Sequence, residues 1–186
     1  VESRIITTEN EKSIGYLKLN DFGARAPEQV KETLEELQAQ GISGLILDLR
    51  NNPGGYLSSA VNITSQFIGE GTILTEQGAN DRTQVHRARP GGVALDIPLV
   101  VLINEGSASA SEILAGAVQD TGRGTLVGTT TFGKGSVQVP HTLSDGSSLR
   151  VTIARWFTPN GRAIHEVGIE PDIVVNRTPE DLRTGR

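Results

Sequence analysis

Two short stretches carry side chains able to do chemistry. Residues 128–135 read GTTTFGKG: a glycine, four residues, then Gly133 and Lys134. That is a phosphate-cradling loop in all but its last position, where a Ser or Thr hydroxyl should hold magnesium and Gly135 stands instead. Such a loop also opens a helix whose N-terminus faces the phosphates. The residues after Lys134 are SVQVP, with Val137, Val139 and Pro140, which reads as extended. A nucleotide site is therefore the weaker reading of Lys134, and a turn lysine or a general base are the other two. The chain has four lysines (12, 18, 31 and 134) against thirteen arginines, and Lys134 sits between two glycines beside Phe132. An apolar, close-packed setting disfavours the charged amine, which is how a lysine becomes a base. The expectation is a tight pocket formed by the glycines and Phe132.

A base needs a nucleophile, and the second stretch, EGSASASEI, offers Ser107, Ser109 and Ser111. Ser109-Ala-Ser-Glu112 is also a capping box, so a helix cap is the plainer reading of Ser109. Yet a serine at a helix start has its own N–H and that of Ala110 near the positive end of the dipole, where they can face an oxyanion. Ser107 falls before the helix and Ser111 within its first turn, both worse placed.

The elements that must position these groups can be read from periodicity. SRIITTE and SIGYLKL read as strands around a polar turn at Asn10–Lys12. PEQVKETLEELQAQG reads as a helix with Pro27 in its first turn, Val30, Leu34 and Leu37 on one face, and Gly41 as its stop. GLILDLR and IPLVVLIN are apolar runs that predict buried strands. YLSSAVNITSQFI carries helical spacing at Leu57, Val61 and Ile68, and SASEILAGAVQDTG predicts a helix with Ile113, Ala117 and Val118 inward. TILTEQ, RTQVHRAR, GTLVG, SVQVP, SSLRVTIARWFT and DIVV read as extended, with a turn at Pro159–Gly161. Alternating strands and helices predict an α/β class with further antiparallel strands toward the C-terminus. RNNPGG and NEGSAS leave the carboxyl ends of the two apolar strands, where α/β sheets gather their sites.

Composition narrows the function classes. A chain of 186 residues suggests a single domain, and its net charge of −5 without a basic run argues against nucleic acid or an anionic membrane. Cysteine is absent, which excludes disulfides, thiolate zinc sites and cysteine nucleophiles. No His or acidic pair has metal spacing, so neither metal nor cofactor is expected. Methionine is absent as well, so Val1 is not a translation start, and the expectation is a processed or trimmed product. His86, His141 and His165 fall in polar contexts. A triad of His165 with Asp172 lacks a G-x-S-x-G elbow to meet it. Asp48 and Arg50 suggest an ion pair or brace beside the site, Asp120 a surface or cap residue, and Trp156 and Phe157 packing.

LILDLRNNPGG, VLINEGSASASEILAGAVQD and GTTTFGKGSVQ, in that order, resemble the carboxyl-terminal processing peptidases, also called tail-specific proteases. The resemblance runs from IGYLKL to GIEPDIVV. It implies a ClpP/crotonase-like α/β core, a mixed sheet with flanking helices, working as a serine endopeptidase with a Ser/Lys dyad. Ser109 would be the nucleophile, Lys134 the base and Gln138 the residue that positions it. Oxyanion donors would be the N–H of Ala110 and of Gly54 or Gly55. The base requires a pKa brought down from ~10.4 toward roughly 7–8. The resemblance further implies a polypeptide substrate with an accessible C-terminal tail and a location outside the cytoplasm. The family's substrate-selecting PDZ domain is expected in the full-length protein, residues 1–186 being the peptidase core without it. The competing readings are a catalytically silent scaffold of the same fold and the nucleotide binder.

Overall fold

Residues 1–78 and 82–176 are described by a computed structural model. In chain order the elements are β1 (Glu2–Thr7), β2 (Ser13–Lys18), α1 (Ala26–Ala39), β3 (Gly44–Asp48), α2 (Leu57–Thr64), β4 (Thr72–Gly78), β5 (Thr83–Arg87), β6 (Leu99–Ile103), α3 (Ala110–Asp120), β7 (Thr125–Gly128), β8 (Ser136–Thr142), β9 (Ser148–Phe157) and β10 (Ile173–Val174).

The apolar runs form the middle of a six-stranded sheet ordered β1-β2-β3-β6-β7-β10. Its β1–β2 pair is an antiparallel hairpin and the other pairings are parallel. Register aligns Leu17 with Leu47 and Leu47 with Val101, so these side chains share one face. All three are fully buried with Leu45, Leu99, Ile103 and Leu126, in one cluster with Val30, Leu34 and Leu37 of α1 and the apolar residues of α3. Burying such side chains is worth about 1.5–3 kcal/mol each, which sets the register of the sheet that carries the loops. A second sheet, ordered β5-β4-β9-β8, is antiparallel throughout. The mixed α/β architecture is the expected one, except that the antiparallel sheet also recruits β4 and β5 from mid-chain.

Of three local readings, the inward Ile113, Ala117 and Val118 and the extended run after Lys134 hold, and the length of α2 is corrected. Helix α3 has no outward face over its first nine residues: Ala110 through Val118 are all buried. It packs against α2, β4 and β7 at once, and small residues such as Ala115, Gly116 and Ala117 admit that many neighbours. Helix α2 ends at Thr64 rather than reaching Ile68, because the chain tightens there into i to i+3 bonds, Gln66 N–H to Ile63 O and Phe67 N–H to Thr64 O, both 3.0 Å. No helix follows Lys134. The strand β8 does, which removes the helix N-terminus that a phosphate loop needs.

Candidate active site

The two glycine-bearing loops meet at the carboxyl ends of β3 and β6, as the sheet order demands. Asn52 holds them together. It is fully buried, donates from Nδ2 to Leu19 O at 2.7 Å and accepts the Gly54 N–H on Oδ1 at 2.9 Å. Its carbonyl accepts from Ala108 N–H and from the Ser111 hydroxyl, both at 3.0 Å. Ser107 donates its hydroxyl to Leu49 O at 2.8 Å. Two of the three candidate serines are therefore fully buried braces between the loops. Ser109 is the one that opens onto a cleft.

Ser109 stands immediately before α3 with φ 58° and ψ −114°. A side-chain-bearing residue rarely adopts that backbone, which costs of order 1–3 kcal/mol and persists only where its surroundings impose it. Gly54 is part of those surroundings. A Cβ there would meet Ser109 Cβ at 2.7 Å and Ala110 N at 2.8 Å, and its own φ is +98°. Only glycine lets the NPGG loop lie this close to the serine.

The capping box forms, and Glu112 does more than cap. Its Oε2 accepts the Ser109 N–H at 2.7 Å and the Lys134 N–H at 2.8 Å. Its Oε1 accepts the Thr131 hydroxyl and the Gly133 N–H, both at 2.6 Å. One fully buried carboxylate thus ties the backbone of Ser109 to the backbone of Lys134. This corrects the expectation that the Ser109 N–H is a free donor, since the reciprocal bond of the box uses it. Gly54 N–H is likewise spent on Asn52. The amides of Gly55 and Ala110 donate to no group among the described residues.

Behind Lys134 the chain returns and packs on the loop. Glu166 N–H donates to Gly133 O and Trp156 N–H to Gly135 O, both at 2.8 Å. A Cβ on Gly135 would meet His165 N at 2.4 Å, so glycine is needed for this close approach. The expected Phe132 wall is absent: Phe132 is 67% exposed, and Lys134 is half-buried. Hydrogen bonds to Glu112, rather than aromatic packing, hold the lysine loop.

Ser109, Lys134, Gln138, Gly55, Tyr56 and Trp156 line one cleft of about 360 Å³. Trp156 packs in the core as expected and also contributes to the cleft wall, with its indole nitrogen unpartnered among the described residues. The histidine triad does not form. His165 approaches Glu166 at 3.9 Å, while Asp172 accepts from Leu126 N–H and Gln119, both at 2.7 Å. Asp120 is paired with Arg162 and accepts Asn160 N–H at 2.8 Å, a brace at the far end of α3. Asp48 is the expected partner of Arg50: it accepts from Arg50 Nη2 and from the Tyr16 hydroxyl, both at 2.6 Å. Burial pushes the Asp48 carboxyl up, but the bonds from Arg50 and Tyr16 outweigh it and leave it below the ordinary range. The Tyr16 phenol is raised by burial and by the Asp48 carboxylate. No group of three or more His, Asp or Glu among the described residues is placed to hold a metal ion.

Glu112 and Asn52 escaped the sequence reading as site residues. The capping box pointed to Glu112 only as a cap, and no local pattern distinguishes Asn52 from its neighbour Asn51.

Several proteins similar to this chain are named as processing peptidases. A carboxyl-terminal-processing protease of Synechocystis sp. is 48% identical over 169 residues, covering 89% of this chain and 39% of its own length. The chloroplastic C-terminal processing peptidase of Tetradesmus obliquus is 38% identical, with 94% of this chain and 37% of its own length covered. Among solved structures, a photosystem II D1 C-terminal processing protease superposes with a TM-score of 0.84 at 38% identity, covering 89% of this chain and 43% of that one. The chain spans about two fifths of the length of these relatives. The tricorn protease, at 21% identity and a TM-score of 0.60, shares the fold. The family model for peptidase family S41 matches residues 13–175, the stretch that holds both loops, the lysine and the braces behind them, and the chain belongs to that family.

Proposed function

We propose that this chain is the catalytic core of a serine endopeptidase that trims polypeptides near their carboxyl termini. The observation that carries the reading is the cleft itself. Of three neighbouring serines only Ser109 reaches it, and Lys134 lines the same cleft. In this reading the neutral Lys134 amine takes the Ser109 hydroxyl proton as the oxygen attacks a peptide carbonyl. The developing oxyanion lies toward the amides of Ala110 and Gly55, held in place before substrate arrives. Lys134 returns the proton to the leaving amine, an ester remains on Ser109, and a water deprotonated by the same lysine hydrolyses it. Gln138, the third residue of β8 and four residues after Lys134, orients the amine.

Relatives named for carboxyl-terminal processing support a polypeptide tail as substrate. A PDZ domain in the full-length protein and a location outside the cytoplasm belong to the same reading, which the family likeness supports. The test is cleavage of an unstructured peptide, followed by mass spectrometry. Ser109→Ala and Lys134→Ala should each lower kcat by about 10³-fold or more. Lys134→Arg should not restore it, because a guanidinium does not give up its proton. Undiminished cleavage by Ser109→Ala overturns the proposal, and an unmodified protein that binds peptides without cutting them points to the scaffold reading.

A further inference from the structure

We infer that Arg150 is a specificity residue that recognises a carboxylate on the substrate. A bulge in β9 shifts its register against β8 between Ala154 and Thr152, and beyond it strand alternation puts Arg150 and Thr152 on one face. Before the bulge Ala154 and Trp156 are buried, beyond it Arg150 is exposed, and both Trp156 and Arg150 line the cleft. Gln138 pairs in register with Thr152, so it shares this face and lies diagonally across from Arg150. Leu149 and Val151, on the opposite face, are exposed as well.

Arg150 forms no ion pair among the described residues. This is unlike Arg50 and Arg162, each of which has a carboxylate partner. None of the residues lining the cleft is Asp or Glu, although the chain carries a net charge of −5. A protein with an acid excess therefore keeps its cleft free of carboxylates and leaves one permanently charged guanidinium facing the space where a peptide would lie. A guanidinium binds a carboxylate through two parallel hydrogen bonds. An unmodified polypeptide offers two such groups, an Asp or Glu side chain and its own terminal carboxylate. Arg150 selects for one of them near the scissile bond.

The inference rests on the peptidase reading, and the two fail separately when binding is measured with cleavage disabled. Fluorescent peptides carrying Glu or Gln at each position flanking a cleavage site, as free acids and as C-terminal amides, are titrated into Ser109→Ala protein. One carboxylate should strengthen binding about three- to tenfold. Arg150→Gln, added to Ser109→Ala, should erase that preference, and Arg150→Lys should keep its direction. Dependence on the free acid identifies the terminal carboxylate, and dependence on Glu identifies an acidic side chain. Equal binding of all peptides, or a preference that survives Arg150→Gln, overturns the inference. Absence of cleavage by unmodified protein bears only on the peptidase reading.

Discussion

Glu112 illustrates what one residue can do in this fold. Its carboxylate is buried, and four donors, none of them a cationic side chain, surround it. Two of those donors belong to the backbones of Ser109 and Lys134, so the carboxylate spans the proposed nucleophile and base. Glu112→Gln keeps the shape but turns one oxygen into an amide that cannot accept, leaving two donors facing another donor. Each stranded buried donor costs about 1–3 kcal/mol, so unfolding should become easier by about 2–6 kcal/mol. Because Ser109 and Lys134 lose their common tether, kcat should fall while KM for a peptide stays nearly constant. Chemical denaturation and steady-state kinetics check the two halves. A variant that loses stability but keeps kcat would mean that Glu112 only caps α3.

At the scale of elements, the decisive contact is between the loop after β3 and the start of α3. Gly54 lies against Ser109 and Ala110 with no room for a methyl group. Gly54→Ala should push the loop off the serine and move the Gly55 amide with it. Displacements of about 1 Å in a reacting geometry cost about 10²-fold in rate. The expected outcome is a kcat/KM lower by about that factor, with α/β circular dichroism unchanged. Full activity in Gly54→Ala would remove Gly55 from the proposed oxyanion site. The positive φ of Ser109 belongs to this scale as well: no property of serine asks for it, and the packing of two loops and one helix imposes it.

For the whole molecule, the Tyr16–Asp48–Arg50 cluster links the hairpin, the central sheet and the loop after β3, and it makes stability depend on pH. Asp48 has a folded pKa below its ordinary value, so the folded state favours its charged form. That contribution is fully present above the unfolded value of about 3.9 and is lost as pH falls through the folded one. Tyr16 is shifted upward, so its contribution is present below about pH 10 and lost as pH rises through its folded value. Thermal melts from pH 6 down to 2 should show a steep fall in Tm below about pH 4 that is shallower in Asp48→Asn. Equal slopes for the two proteins would show that the cluster carries no linkage.

The sequence by itself determined the α/β class, the two apolar strands whose ends carry the loops, and the pairing of a Ser109 stretch with a Lys134 stretch. These are written in local periodicity and in residue types next to one another, which packing does not have to supply. It also placed α1 closely, because Pro27, the apolar stripe and Gly41 are all local signals. Tertiary structure alone decided which of three serines faces the cleft, that Glu112 joins the serine to the lysine, that Gly55 rather than Gly54 keeps its amide free, and that Phe132 turns to solvent. The serine braces and the tether of Glu112 to Lys134 depend on atoms that meet across tens of residues. Hydrogen bonds over such separations leave no mark on the spacing of neighbours, so only the folded chain can show them.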